Sequence, residues 1–128
     1  MEFLGAKFAV KAQAFANGVA HSMLSPSTLD RSDLVERLTS PFASFKGKGA
    51  ALTVDVTLRH SAGLEMVMPA LRVPTTILLG QEDKLYPPED MRPVATLTPD
   101  VKIVVVPKAG HIIPLEAPDA AVAAIGRG

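Results

Sequence analysis

The sequence predicts an α/β fold: a short parallel sheet with flanking helices, preceded by an N-terminal helical segment. Residues 75–80 (TTILLG) and 102–107 (KIVVVP) are short apolar runs rich in β-branched side chains, the signature of strands buried on both faces. The stretch between them, from Pro88 to about Leu97, is compatible with helix, so strand, helix and strand follow one another with short connections, as in a parallel βαβ unit joined by a right-handed crossover. The first forty residues carry apolar side chains at helical spacing.

In chain order, Phe3, Leu4, Phe8, Val10, Ala14, Phe15 and Val19 form the stripe of an amphipathic helix over 3–20, with Asn17-Gly18 as a break within or after it. A Ser- and Pro-containing loop (22–28) follows. Leu29, Leu34, Val35 and Leu38 then mark a second helix over about 30–39, stopped by Pro41. Residues 42–50 read as loop. From Ala50 to His60, Thr53, Val54, Val56 and Thr57 favour strand while the length also suits helix, which is the reading taken. Pro93 weakens the helix after Pro88 unless it lies in a first turn. The Ala-rich segment Asp119 to Ile125 closes the chain as a helix. This divides the chain into a helical segment, 1–70, and a core segment, 71–128.

Composition excludes several classes of function. At 128 residues the chain is one ordinary domain in size, and 48% apolar with 20% charged residues is a globular composition. Thirteen basic side chains balance thirteen acidic ones and are scattered, which leaves no electrostatic footprint for nucleic acid or an anionic membrane. A neutral or apolar partner fits better, a small apolar substrate if the chain is active. With no Cys there is no disulfide, no thiolate nucleophile and no sulfur-ligated zinc, and His21, His60 and His111 lack the spacing of a metal cluster, so no metal or cofactor is expected. No apolar run reaches the roughly 18 residues of a membrane span. Lys7 and Lys11 interrupt the apolar N-terminus, which therefore reads as structure and not as a signal peptide, and the expected location is the cytoplasm.

Two residues carry candidate chemistry. Asp83 lies three residues beyond the first strand and His111 four residues beyond the second, and parallel pairing puts both at the carboxyl edge of the sheet, where ligands of α/β folds gather. A carboxylate accepting a hydrogen bond from imidazole Nδ1 fixes the ring's tautomer and leaves Nε2 to take a proton from a hydroxyl or a water. The two side chains are expected within roughly 2.6 to 5 Å of one another. The bland reading is a turn Asp and a surface-loop His.

The wording of the sequence adds to its spacing. VPTTILLGQEDKLYPPED followed by VKIVVVPKAGHIIPLEAPDAAVAAI resembles the closing segment of the α/β-hydrolase family: a strand ending in Gly, a turn ending in an acid, a helix, a strand, then Gly-His and a Pro-bearing helix start. The resemblance spans about 71–125. It implies that Asp83 is the catalytic acid and His111 the base, with Glu82 a weaker alternative for the acid. SPSTLDRSDLVERLTSPF is similar, more faintly, to the helical cap that the family inserts over its site, which makes 1–70 a cap-like segment.

The nucleophile of that family, usually Ser in G-x-S-x-G on a strained strand-to-helix elbow, has no match in the sequence. Nor has the HGGG-type oxyanion loop, and one lost oxyanion donor alone costs about 3 to 4 kcal/mol of transition-state stabilisation. The resemblance therefore implies a chain that begins after the first six strands. Ala20-His21-Ser22-Met23-Leu24 echoes an elbow, with Ser22 as nucleophile, but Ala20 and Leu24 stand where the crowded turn wants Gly, and Ser25-Pro26 interrupts the helix an elbow feeds. Three readings follow: a portion of a hydrolase of esters, epoxides, carbon–carbon or carbon–halogen bonds that supplies acid and base to a nucleophile located elsewhere, a compact hydrolase using Ser22, or a non-catalytic module that covers its two-stranded sheet by self-association. His21, His60, Met66, Met68, Lys46 and Lys48 read as core, cap-lining or solvated residues.

Overall fold

The computed structural model describes residues 2–44 and 63–126. Helix α1 spans Glu2–Met23, α2 Pro26–Leu29 and α3 Ser32–Thr39, followed by a 3₁₀ turn, Ser40–Ser44. A short α4, Leu64–Val67, and a second 3₁₀ turn, Met68–Ala70, lead into β1, Thr75–Gly80. Then come α5, Pro88–Ala95, β2, Val101–Val106, α6, Ile113–Glu116, and α7, Pro118–Ile125. The expected loop over 42–50 thus starts as a 3₁₀ turn, and its remainder, the helix expected over 50–60, His60, Lys46 and Lys48 lie outside the described residues.

The strands pair in parallel, with Thr75 opposite Val101 and Gly80 opposite Val106. The connection between them runs through α5, whose Met91 and Ala95 are buried. Pro93 sits inside this helix and not in its first turn. A helix of eight residues loses one backbone donor there, and burial of Met91 and Ala95 on either side of the proline outweighs that loss.

Two expectations about burial need correction. The strands are not buried on both faces along their length: Thr76 and Lys102 are exposed, and full burial is reached only at Leu79, Gly80 and Val106. A two-stranded sheet covers little of its own face, so burial concentrates where α6 and α7 pack, in a core of Val106, Ala109, Ile113 and Ala121 flanked by Leu78, Ala117 and Ala120. In α1, over residues 12–23 whose side chains are described, the buried residues are not the bulky ones. Ala16 and Ala20 are buried, and Leu24, the first residue after the helix, continues their i, i+4, i+8 line, whereas Ala14 and Phe15 are exposed. Small side chains let the helix approach its neighbours closely. Phe15 instead meets Phe42 edge to face at 5.7 Å between ring centroids. That same buried line carries α1 through Asn17-Gly18 without a break, since Gly costs only about 1 kcal/mol in a helix interior.

Candidate active site

Pairing between the two chain segments continues past the ends of the strands. Gln81 N–H donates to the Val106 carbonyl and Glu82 N–H to the Ala109 carbonyl, both at 2.9 Å, so the loops after β1 and β2 leave the sheet side by side. Asp83 N–H then donates to the Gly80 carbonyl at 3.2 Å, turning the chain. Within this turn Asp83 Oδ1 accepts the Leu85 and Tyr86 N–H groups at 2.8 and 3.0 Å, the Asx arrangement that suits Asp to tight turns. Its other oxygen, Oδ2, lies 2.9 Å from His111 Nδ1, inside the range expected for an acid and base in register. The Asp83 side chain is 6% exposed and that of His111 30%.

Burial pushes the Asp83 carboxyl up. The Tyr86 N–H, the His111 ring, the Leu85 N–H and the charge on His111 outweigh that effect and hold it below the ordinary carboxylate range. Asp83 is therefore the ionised partner at neutral pH, and the ring nitrogen facing it carries the proton. The Tyr86 ring stacks on the imidazole, 5.6 Å between centroids and 29° between planes.

The His111 loop is held from outside as well. Lys108 takes φ 57°, and among the described residues it alone adopts a left-handed backbone without being Gly. His111 N–H donates to the Met23 carbonyl at 2.7 Å, which joins the loop to the end of α1. Three backbones stack here with no side chain between them. A Cβ on Gly80 would collide with the carbonyls of Gly110 and Ala109, and one on Gly110 would lie 2.6 Å from Ser25 N and 2.7 Å from the Met23 carbonyl oxygen. The corner they meet, Leu24-Ser25, has the largest fully buried side chains described, and Ser25 Oγ caps α2 by accepting the Thr28 N–H.

Sequence reasoning missed Glu116, which reaches this junction. Its carboxylate accepts the N–H groups of Ser25 at 2.7 Å, Gly110 at 3.0 Å and Ile112 at 3.1 Å. The signal was a single acid five residues after Gly-His in HIIPLEAP, in a turn where consecutive N–H groups need acceptors.

The elbow that the sequence only echoes at Ser22 does not form. Ser22 lies in the last turn of α1, exposed, with helical backbone, and its hydroxyl donates to the Gly18 carbonyl at 2.8 Å. A helical Ser bonded back to its own helix has neither the strained turn nor the partner of an activated nucleophile. Among the described residues Glu82, the alternative acid, bonds to no histidine, and its Oε2 is buried without a hydrogen-bond partner. His21 is exposed at the end of α1, where its carbonyl accepts Lys84 Nζ. Met68 belongs to the core, while Met66 is exposed. Among the described residues no group of three or more His, Asp or Glu is placed to hold a metal ion, and no helix is long and apolar enough to cross a membrane.

No family model matches the chain. Over 67 residues it is 30% identical to an N-formylmaleamate deformylase of Pseudomonas putida, a match covering 52% of this chain and 25% of that protein. Among solved structures it is similar to a thermophilic esterase from Thermogutta terrifontis, with TM-score 0.75 and 30% identity, covering 88% of this chain and 42% of the esterase. It also superposes on the enol-lactonase from Burkholderia xenovorans LB400, with TM-score 0.75 and 22% identity, over 93% of this chain and 47% of that enzyme. The chain thus spans less than half the length of each of these three proteins.

Proposed function

From a chain that carries the α/β-hydrolase fold in part, we propose that Asp83 and His111 are the acid and base of a hydrolase site acting on esters of small apolar acids or alcohols. The nucleophile and oxyanion donors lie outside these 128 residues, and residues 1–70 serve as a cap-like segment beside the core segment 71–128. The observation that carries the reading is the 2.9 Å contact between Asp83 Oδ2 and His111 Nδ1, with the carboxylate held ionised. Similarity at 30% identity to an esterase favours ester bonds over epoxide, carbon–carbon or carbon–halogen bonds. In this scheme Nδ1–H donates to Asp83. Nε2 accepts the proton of the attacking hydroxyl or water, and the resulting imidazolium is stabilised by Asp83 until it returns the proton to the leaving oxygen.

An acid–base pair without a nucleophile can only activate water, which contributes about 10² to 10⁴-fold. The chain alone is therefore expected to hydrolyse p-nitrophenyl butyrate barely above background. Wild type, Ser22→Ala and His111→Ala, purified in parallel, test this. A clear wild-type turnover abolished by both substitutions would overturn the placement of the nucleophile outside the chain. Loss with His111→Ala alone would leave a water-activating pair. A clear turnover unaffected by His111→Ala would remove the base from the scheme.

A further inference from the structure

We propose that Glu116 is the positioning residue of the catalytic base: its carboxylate fixes the backbone on both sides of His111 and ties it to the α1–α2 corner, so that the imidazole is presented to Asp83 in one orientation. The proposal rests on reading Asp83 and His111 as the acid–base pair.

Three successive N–H groups surround the base. Those of Gly110 and Ile112 converge on one oxygen of Glu116, at 3.0 and 3.1 Å, while that of His111 itself goes to the Met23 carbonyl at 2.7 Å. The second oxygen of Glu116 accepts the Ser25 N–H at 2.7 Å. One carboxylate therefore joins the residue before the base, the residue after it and the corner 91 positions away from Glu116 in sequence. Hydrogen bonds to a charged acceptor are roughly twice as strong as neutral ones, and a carboxylate offers the lone pairs that three donors need. Gln offers one oxygen. It can keep the Gly110 and Ile112 bonds or the Ser25 bond, and it turns an NH₂ group toward the donors it abandons. Ala offers nothing.

Without this acceptor the loop's own restraints are weak. Gly110 has no side chain, Lys108 holds a left-handed backbone, and the ring's lateral support is the exposed Tyr86. The Asp83 turn, by contrast, is closed by its own hydrogen bonds. Loss of Glu116 should therefore move the base and leave the acid in place.

The test is nuclear magnetic resonance of the full chain, comparing wild type, Glu116→Ala, Glu116→Gln and Asp83→Asn. In Glu116→Ala, amide exchange at Ser25, Gly110 and Ile112 is expected to rise about ten- to a hundredfold, the range for losing a charge-assisted hydrogen bond. Amides of β1 and β2 should change little. The deciding readout is the ring ¹⁵N shifts of His111, which should move from the Nδ1–H tautomer toward a mixture of tautomers, further in Ala than in Gln. A purely structural role would speed exchange but leave the ring tautomer alone, and that result overturns the proposal. If Glu116→Ala does not fold, Glu116→Gln decides by the same ring shifts. Collapse of both variants would assign Glu116 to folding and overturn the proposal too. Asp83→Asn separates the two claims. Ring shifts that respond to Glu116 but not to Asp83 sink the acid–base reading alone, and the reverse response sinks the positioning role alone.

Discussion

The loop after β1 and the loop after β2 each deliver one half of the proposed acid–base pair, yet they are held in opposite ways. The Asp83 turn is closed from within, its carboxylate accepting the N–H groups two and three residues later and its own N–H reaching back to Gly80. The His111 loop is held from without, by Met23, by the Ser25 corner and by Glu116. Orientation of the acid is thus a property of the seven consecutive residues from Gly80 to Tyr86. Orientation of the base is a property of the whole chain.

That contrast can be broken most severely where the two loops touch. Gly80→Ala places a methyl group against the carbonyls of Gly110 and Ala109, backbone atoms that cannot rotate aside, and should cost about 3 kcal/mol or more by urea unfolding. A loss under 1 kcal/mol would mean that the stack yields and the loops are not rigidly apposed.

Asp83→Asn is the next largest. Asn Oδ1 can still accept the Leu85 and Tyr86 N–H groups, so the turn should persist while the charged bond to His111 is lost, at about 1 to 2 kcal/mol at neutral pH. Melting of the turn, seen as rapid exchange at Leu85 and Tyr86, would show that the acid also needs support from outside.

A smaller effect follows from pH. Because the folded Asp83 carboxyl stands below its unfolded value, it contributes stability that is complete above the ordinary carboxylate value of about 3.9 and is lost as pH falls through the lowered folded value. The stability difference between wild type and Asp83→Asn should therefore shrink on acidification below about pH 4. A difference that grows there would reverse the assigned direction.

Ser22→Ala should do least, changing stability by no more than about 0.5 kcal/mol, because the hydroxyl is exposed and bonded only to its own helix. A change above 1 kcal/mol in thermal unfolding would give that residue a role the fold does not explain.

The same contrast decides what was legible in the sequence. The strands, their parallel pairing and the Asp83 turn rest on local signals, namely β-branched runs, a terminal Gly and an Asp with room to bond forward. The proximity of Asp83 and His111 follows from strand pairing alone. What could not be read is nonlocal. In the part of α1 whose side chains are described, residues 12–23, the buried residues are Ala16 and Ala20 and not Phe15. Glu116 looks like any acid in a short helix until Ser25 is brought beside it. Ser22 suggested an elbow through its neighbours' identities, but elbow geometry needs a strand before the turn, and a 22-residue helix stands there instead.

The 91-residue span between Ser25 and Glu116 also orders events in time. Asp83 and His111 are separated by 28 positions, and closing the longer loop costs about 1 kcal/mol more chain entropy, before any cost of docking a helix. The strands and their acid–base contact can therefore assemble first, with the N-terminal helix arriving onto a formed edge. Pulse-labelled hydrogen exchange during refolding would show β1 and β2 protected before Ser25, and simultaneous protection would refute that order. A nascent chain must be synthesised as far as Glu116 before the Ser25 corner after α1 can make this contact.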